Sequence, residues 1–220
     1  MNAPSSPRPW PVIAIDGGAG TGKTTSAQRV ARRMGFCYID SGAIFRLIAL
    51  ALREAGIQGA DDERISQVVP EVDLRIDPSA EACRVYLGTR LLGEELRTPE
   101  IARLSSQIAV RADVRRRVRE ILRRAALAGP LVVEGRDIGT AVFPDAPAKF
   151  FLTAELLTRA ERRRLDLERQ GLLLRPEEVA RDLEERDRRD SSRELDPLRQ
   201  AEDAVLIDTT RTDIEGQVSQ

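Results

Sequence analysis

The chain has 220 residues, enough for one domain with a sizeable core, and its 35 basic residues nearly cancel its 36 acidic ones to a formal charge of -1. That balance excludes a global positive field of the kind that gathers a nucleic acid polymer, and no apolar run reaches transmembrane length. Histidine is absent and Cys37 and Cys83 fit no metal-ligand spacing, so both cysteines read as small apolar residues of a reduced, cytoplasmic protein.

Residues 1–10 lack the apolar core of a signal peptide and read as a flexible tail ahead of a domain over 11–220. An apolar strand, Val12 to Ile15, then runs into Gly17-Gly18-Ala19-Gly20-Thr21-Gly22-Lys23-Thr24-Thr25, with a helix from Lys23 to about Met34. The spacing is that of a P-loop. Its glycines let backbone N–H groups curl around a phosphate chain, Lys23 adds a mobile positive charge, and the Thr24 hydroxyl can ligate magnesium. A nucleoside triphosphate is the expected ligand, with Gly17 to Thr25 as its cradle.

A second strand, Phe36 to Ile39, leads to the capping residues Asp40-Ser41-Gly42 and a helix from Ala43 to Ala55. Arg46 lies one turn into that helix. It can clamp a monophosphate there, or sit in solvent while Asp40 or Ser41 merely caps the helix. From about residue 61 to 97 the pattern changes to a short helix, Glu63 to Val69, and alternating runs Val72 to Ile76 and Arg84 to Leu87. Gly88-Thr89 then turns into Arg90 to Leu92, which predicts an inserted antiparallel subdomain.

Two arginine-rich helices, Pro99 to Val110 and Val114 to Ala128, precede the strand Leu131 to Val133, which ends in Glu134-Gly135-Arg136-Asp137. After the strand Lys149 to Leu152 come charged helices Glu155 to Arg169 and Pro176 to Arg188, hinged near Gly171, then the strand Ala204 to Ile207 and a short final helix within Thr212 to Val218. The alternation predicts an α/β, P-loop kinase-type three-layer fold: a parallel sheet flanked by helices, a small antiparallel β subdomain, and a helical lid at about 155–193. Ligands then gather at the carboxyl ends of the strands.

Absences narrow the class. Asparagine occurs only at Asn2, so no Asn-Lys-x-Asp guanine-reading motif exists. The strand that would end in Asp-Glu in an ATPase motor ends here in Val-Val-Glu-Gly-Arg-Asp. Three arginine and carboxylate clusters, at Asp40 to Arg46, Gly135 to Thr140 and Glu185 to Arg193, suit a second anionic substrate. A mobile arginine-rich helical pair would exclude the water that otherwise hydrolyses a phosphoryl donor.

Together with Leu96-Arg97-Thr98-Pro99-Glu100 and Val142-Phe143-Pro144-Asp145-Ala146, these clusters make the chain resemble bacterial cytidylate kinase, within the nucleoside monophosphate kinase group of P-loop proteins. The resemblance runs from Val12 to Thr210, with an acceptor-binding region at about 41–128. It implies transfer of the ATP γ-phosphate to CMP or dCMP with Mg2+; the chain is expected to be a cytoplasmic monomer with no membrane partner. It further implies that Ser41, Arg186 and Asp190 hold the sugar, that Ser106, Arg115, Asp137 and Arg193 read cytosine, and that Arg46 and Arg136 hold the acceptor phosphate. Arg159, Arg163 and Arg188 would meet the triphosphate, and Lys23, Arg46, Arg136 and Arg188 would be the catalytic cations.

Cytosine suits such a set because its exocyclic amine donates to a carboxylate while O2 and N3 accept from arginine or serine. Two departures stand out: Phe45 where the family usually has tyrosine, and Gly18 where proline is common. The alternatives are a P-loop kinase for another small acceptor, such as UMP or AMP, and a nucleotide-dependent binding module.

Overall fold

The computed structural model describes residues 10–58, 61–78, 83–91, 96, 98–169 and 171–220. Most of the predicted tail (1–9), Leu92, Arg97 and Gln170 lie outside the described residues. The elements are β1 (Val12–Gly17), α1 (Lys23–Met34), β2 (Cys37–Asp40), α2 (Ser41–Glu54), α3 (Asp62–Val68), β3 (Leu74–Pro78), β4 (Cys83–Leu87), β5 (Arg90–Leu91), α4 (Pro99–Ile108) and α5 (Ala112–Ala125). There follow β6 (Leu131–Gly135), a π-helical turn (Ile138–Val142), β7 (Ala148–Thr153), α6 (Leu156–Arg169), α7 (Pro176–Ser192), β8 (Val205–Asp208) and α8 (Ile214–Ser219). The chain divides into one unit of residues 13–33 and 132–220 and another of residues 1–12 and 34–131.

The P-loop unit is built on strands in the order β6-β1-β7-β8. β1 and β7 are parallel, with Ile15 opposite Phe150, and β7 and β8 are parallel, with Leu152 opposite Ile207. Every residue of β1 and β6 is buried, as expected of parallel strands covered on both faces, which is why both read as continuous apolar runs. The helices α6 and α7 form the lid pair around Ala160, Val179 and Leu183, and Gly171 has the positive φ that lets the chain reverse between them. α7 runs four residues past the predicted Arg188, because the charged segment from Glu185 to Arg193 keeps helical spacing without an apolar stripe to announce it. The short α8 is tied to α1: Ser26 donates to Gln217 at 2.9 Å, and Glu215 pairs with Arg29 and Arg33.

In the other unit β3, β4 and β5 form an antiparallel sheet with Leu74 opposite Leu87 and Ile76 opposite Val85, as the alternation and the Gly88 turn predict. β3 begins at Leu74 rather than Val72, because Val72 closes the 3-10 turn that follows α3. The core is apolar stripes at helical spacing: Ile44, Leu47 and Ile48 of α2, Ile101 and Ile108 of α4, and Val118, Ile121 and Leu122 of α5. Capping defines the helix starts. Asp40 accepts from Gly42 N–H at 2.8 Å, which begins α2 at Ser41 rather than Ala43, and Thr98 accepts from Ile101 N–H ahead of α4. Arg111 joins Asp62, Ser66 and Asp113. Burial alone would raise the Asp113 carboxyl, but hydrogen bonds from Arg111 and Ser66 bring it down to about 2.

The reading of two reduced cysteines is corrected: Cys37 and Cys83 form a disulfide, with a Cα–Cα distance of 5.1 Å. Cys37 opens β2 and Cys83 opens β4. The antiparallel insert folds the chain back and brings them together across 46 residues, a closeness that spacing alone does not show. Among the described residues no helix is long and apolar enough to cross a membrane.

Candidate active site

The P-loop begins where β1 ends. Gly17 has φ +148°, and a Cβ there would lie 2.1 Å from the Leu152 carbonyl oxygen, so only glycine lets the loop leave the sheet at this point. Lys23 folds back over the loop and donates to the Gly18 carbonyl at 2.6 Å, and the Thr21 hydroxyl donates to the same oxygen at 3.0 Å. Burial pushes the Lys23 ammonium down to about 7 and the Arg136 guanidinium adds to it, against the opposing pull of Glu134 and Asp16. The negative charge of a phosphate chain in the loop would oppose both effects.

Asp16, beside the loop, is the one carboxylate in an apolar strand, and nothing in the sequence around it marks a role. It is buried, and its two oxygens accept the N–H groups of Ile138 at 2.8 Å and Gly139 at 2.7 Å. Burial nevertheless raises its carboxyl to about 6, because the two amides only partly replace water. Asp16 thereby fixes the start of the π-helical turn, and with it the segment that carries Arg136 and Asp137.

Those two residues, at the end of β6, meet α7. Arg136 Nε donates to Asp190 at 2.8 Å, and Arg193 donates through Nη2 to Asp137 at 3.2 Å and through Nε to the Asp196 carbonyl at 2.7 Å. The Asp137 and Arg193 side chains are only 10% and 11% exposed, so their ion pair is screened little. The protein atoms packed around Arg186, and after them the like charge of Arg136, hold its guanidinium below its ordinary range, although solvent still reaches the side chain. Five predicted residues, Arg136, Asp137, Arg186, Asp190 and Arg193, are thus brought together. On the lid helices Arg159 donates to the carbonyls of Ala154 and Ala19 and pairs with Asp187, while Arg163 and Arg188 are exposed.

The other unit holds the remaining predicted residues. Ser41 is the buried first residue of α2. Arg46 donates to Asp40 at 2.6 Å, so Asp40 caps the helix, as one of the two expectations has it, and also holds an arginine that is only half-exposed. Arg46 Nε is buried with no hydrogen-bond partner among the described residues. Arg115 is buried, donates to the Ala109 carbonyl at 3.0 Å, and sits 5.9 Å from the centre of the Phe45 ring, a contact that needs the ring and not the missing hydroxyl. Ser106 is exposed on α4.

Thr24 stands exposed in the first turn of α1, and among the described residues no group of three or more carboxylate, histidine or cysteine side chains could hold a metal alone. A single hydroxyl beside the loop is the kind of protein ligand that magnesium takes with nucleotides, its other positions being filled by phosphate oxygens and water.

Residues 13–220 match the family described as "Cytidylate kinase". A protein of that name from Geobacter sp. (strain M21) is 42% identical over 204 residues, covering 93% of this chain and 88% of its own length. Another, from Desulfitobacterium hafniense (strain Y51), is 44% identical over 203 residues, covering 92% of this chain and 87% of its own. A solved structure of an uncharacterized protein from Eubacterium ventriosum ATCC 27560 covers 94% of this chain and 93% of its own, with a TM-score of 0.50 and 14% identity, a likeness of fold alone.

Proposed function

We infer that this chain, which belongs to the cytidylate kinase family and phosphorylates CMP and dCMP with ATP, does so with the residues that the two units set out. The observation that carries the assignment is the cluster at the ends of β1 and β6, where Lys23 and Arg136 converge with Arg186 and where Asp137 is locked to Arg193. The P-loop amides, Lys23 and the lid arginines Arg159, Arg163 and Arg188 neutralise the donor phosphates. Arg136, and from the other unit Arg46, take the acceptor phosphate. Phosphoryl transfer is largely a matter of positioning and charge stabilisation, so no general base is required of the protein. Magnesium, held through Thr24 and the phosphates, supplies further charge neutralisation at the transferring group.

Base reading falls to Asp137, Arg193, Arg115 and Ser106, and the sugar to Ser41, Arg186 and Asp190. Asp137 presents an acceptor to the cytosine amine, where uracil presents an oxygen, and the mismatch costs about 1–3 kcal/mol through unpaired buried groups. The test is an ADP-formation assay with CMP, dCMP, UMP and AMP on the wild type and Asp137→Ala. The variant is expected to lose most of the preference for CMP over UMP; full retention would remove Asp137 from the base-reading set. We place the enzyme in the cytoplasm as a monomer. Alkylation in intact cells followed by mass measurement checks whether the Cys37–Cys83 disulfide of the structure persists there.

A further inference from the structure

We propose that Asp187 competes with the donor phosphates for the P-loop, and that donor binding exchanges its carboxylate for a phosphate oxygen while releasing Arg159 to the nucleotide. The proposal rests on the reading of Gly17 to Thr25 as the triphosphate cradle. Within that loop the Ala19 N–H donates to Asp187 Oδ1 at 3.3 Å. Arg159 pairs with the same carboxylate and also donates to the Ala19 carbonyl at 3.2 Å. A carboxylate and a phosphate oxygen are both anionic acceptors, and one loop amide aimed at the first is not aimed at the second.

Three features show that this contact is built into the fold. The Ala19 methyl belongs to the apolar centre of the lid pair, packed with Ala160, Val179 and Leu183, so a P-loop residue forms part of the lid's own core. The Arg159 and Asp187 side chains are 12% and 24% exposed, so water screens the pair only in part. The pair lies close against Gly18: a Cβ there would lie 3.2 Å from Arg159 Nη1 and 3.2 and 3.3 Å from the two Asp187 oxygens, so a larger residue at this position would ask those side-chain ends to shift. An Arg159–Asp187 pair serving only to hold α6 to α7 has no need of the Ala19 amide.

The consequence is a divided effect on the two substrates. The Asp187 carboxylate opposes ATP through the loop amide and through Arg159, yet among the described residues its hydrogen bonds and ion pair go to these two and not to the groups assigned to the acceptor. The test uses the full chain, wild type and Asp187→Asn, titrated calorimetrically with the non-hydrolysable ATP analogue AMP-PNP and magnesium. Asparagine keeps the shape and one acceptor but not the charge, and Asp187→Ala serves as a second variant. The expected result is about 5- to 20-fold tighter analogue binding in both variants, the range that removing a competing charged hydrogen bond supports. KM for ATP falls in the same ratio, KM for CMP keeps its wild-type value, and the rise in Tm on adding the analogue grows.

Binding by the variants that equals or falls below that of a binding-competent wild type overturns the proposal and leaves the cradle reading intact. A parallel shift in both KM values overturns it too, since that marks Asp187 as a prop for α7. If the wild type itself takes up no analogue, the cradle reading falls and this proposal with it.

Discussion

The two units hold their cations in different ways. Around the P-loop, Arg136 rests on Asp190, Arg193 on Asp137 and Arg159 on Asp187, while Lys23 is buried against a neutral carbonyl. In the insert-bearing unit positive charge is spread over helices, Arg46 held by the cap of its own helix and Arg115 by a carbonyl and an aromatic ring. Crowded like charges repel, and around the P-loop Arg136, Arg159 and Arg193 are each offset by a carboxylate that an incoming polyanion can replace. The more dispersed set uses the same device at Arg46, whose partner Asp40 also caps α2, and orients Arg115 by a carbonyl and a ring. Lys23 is the exception, a cation whose burial is left to be compensated by what it binds.

The sharpest way to break this contrast is at Lys23. Lys23→Met is expected to lower kcat by about 1000-fold, since a single preorganised charge at a phosphoryl group is worth that much and no carboxylate-held neighbour is placed to substitute. Arg136→Met should cost less, about 100-fold in kcat/KM for CMP, because its removal also frees Asp190 to re-pair with Arg193 3.8 Å away. Steady-state kinetics on both variants compares them directly. A larger loss at Arg136 would mean that the offset arginines, and not Lys23, dominate the chemistry.

In the dispersed unit the corresponding weak point is structural. Cys83→Ser is expected to lower unfolding free energy by about 2 kcal/mol in non-reducing urea titrations, because the cross-link shortens the excursions of the unfolded chain. Turnover under folding conditions should stay near the wild-type value. Equal stability of the two proteins would show that the cross-link does not measurably restrict the unfolded chain.

The smallest effect concerns Asp16 and is visible only as pH changes. Its folded pKa, about 6, lies above the ordinary 3.8, so the folded state binds the proton more tightly than the unfolded one. That contribution to stability is complete below about pH 4 and is lost as pH rises through 6. The stability of the wild type relative to Asp16→Asn should therefore increase by up to about 2 kcal/mol between pH 7 and pH 4 in paired urea titrations. A difference that does not move with pH would show that the two amides fully replace water around the carboxylate.

Legibility followed distance along the chain. The cradle from Gly17 to Thr25 and the segment from Asp40 to Arg46 each act within a turn or two, so residue type and spacing expose them. Alternation exposes the β3-β4-β5 insert, because antiparallel pairing with one covered face forces period two. The arginines and aspartates of the Gly135 to Thr140 and Glu185 to Arg193 clusters could be named, but their pairing, Arg136 with Asp190 and Asp137 with Arg193, spans 54 and 56 residues and belongs to tertiary structure. Asp16 lies 122 residues before Ile138, and Ala19 lies 168 before Asp187. Asp16 stands in an apolar strand and Asp187 among the many charges of the Glu185 to Arg193 cluster, so nothing local marks either as the partner of a distant backbone amide.

The π-helical turn gives the β6–β7 connection a property that no single side chain has. Val142 and Phe143 donate to the carbonyls of Asp137 and Ile138, five residues back, while the first two amides of the turn are taken by Asp16 on another strand. One end of the segment is thus nailed to β1, and the other inserts Phe143, fully buried, into the core. Such a turn holds one residue more than an α-helical turn, and deleting one would rotate everything beyond it by about 100°. The constraint inherited here is a count: Thr140 or Ala141 can be exchanged for residues of like size, but the distance from Arg136 to Phe143 works as a ruler and admits no missing mark.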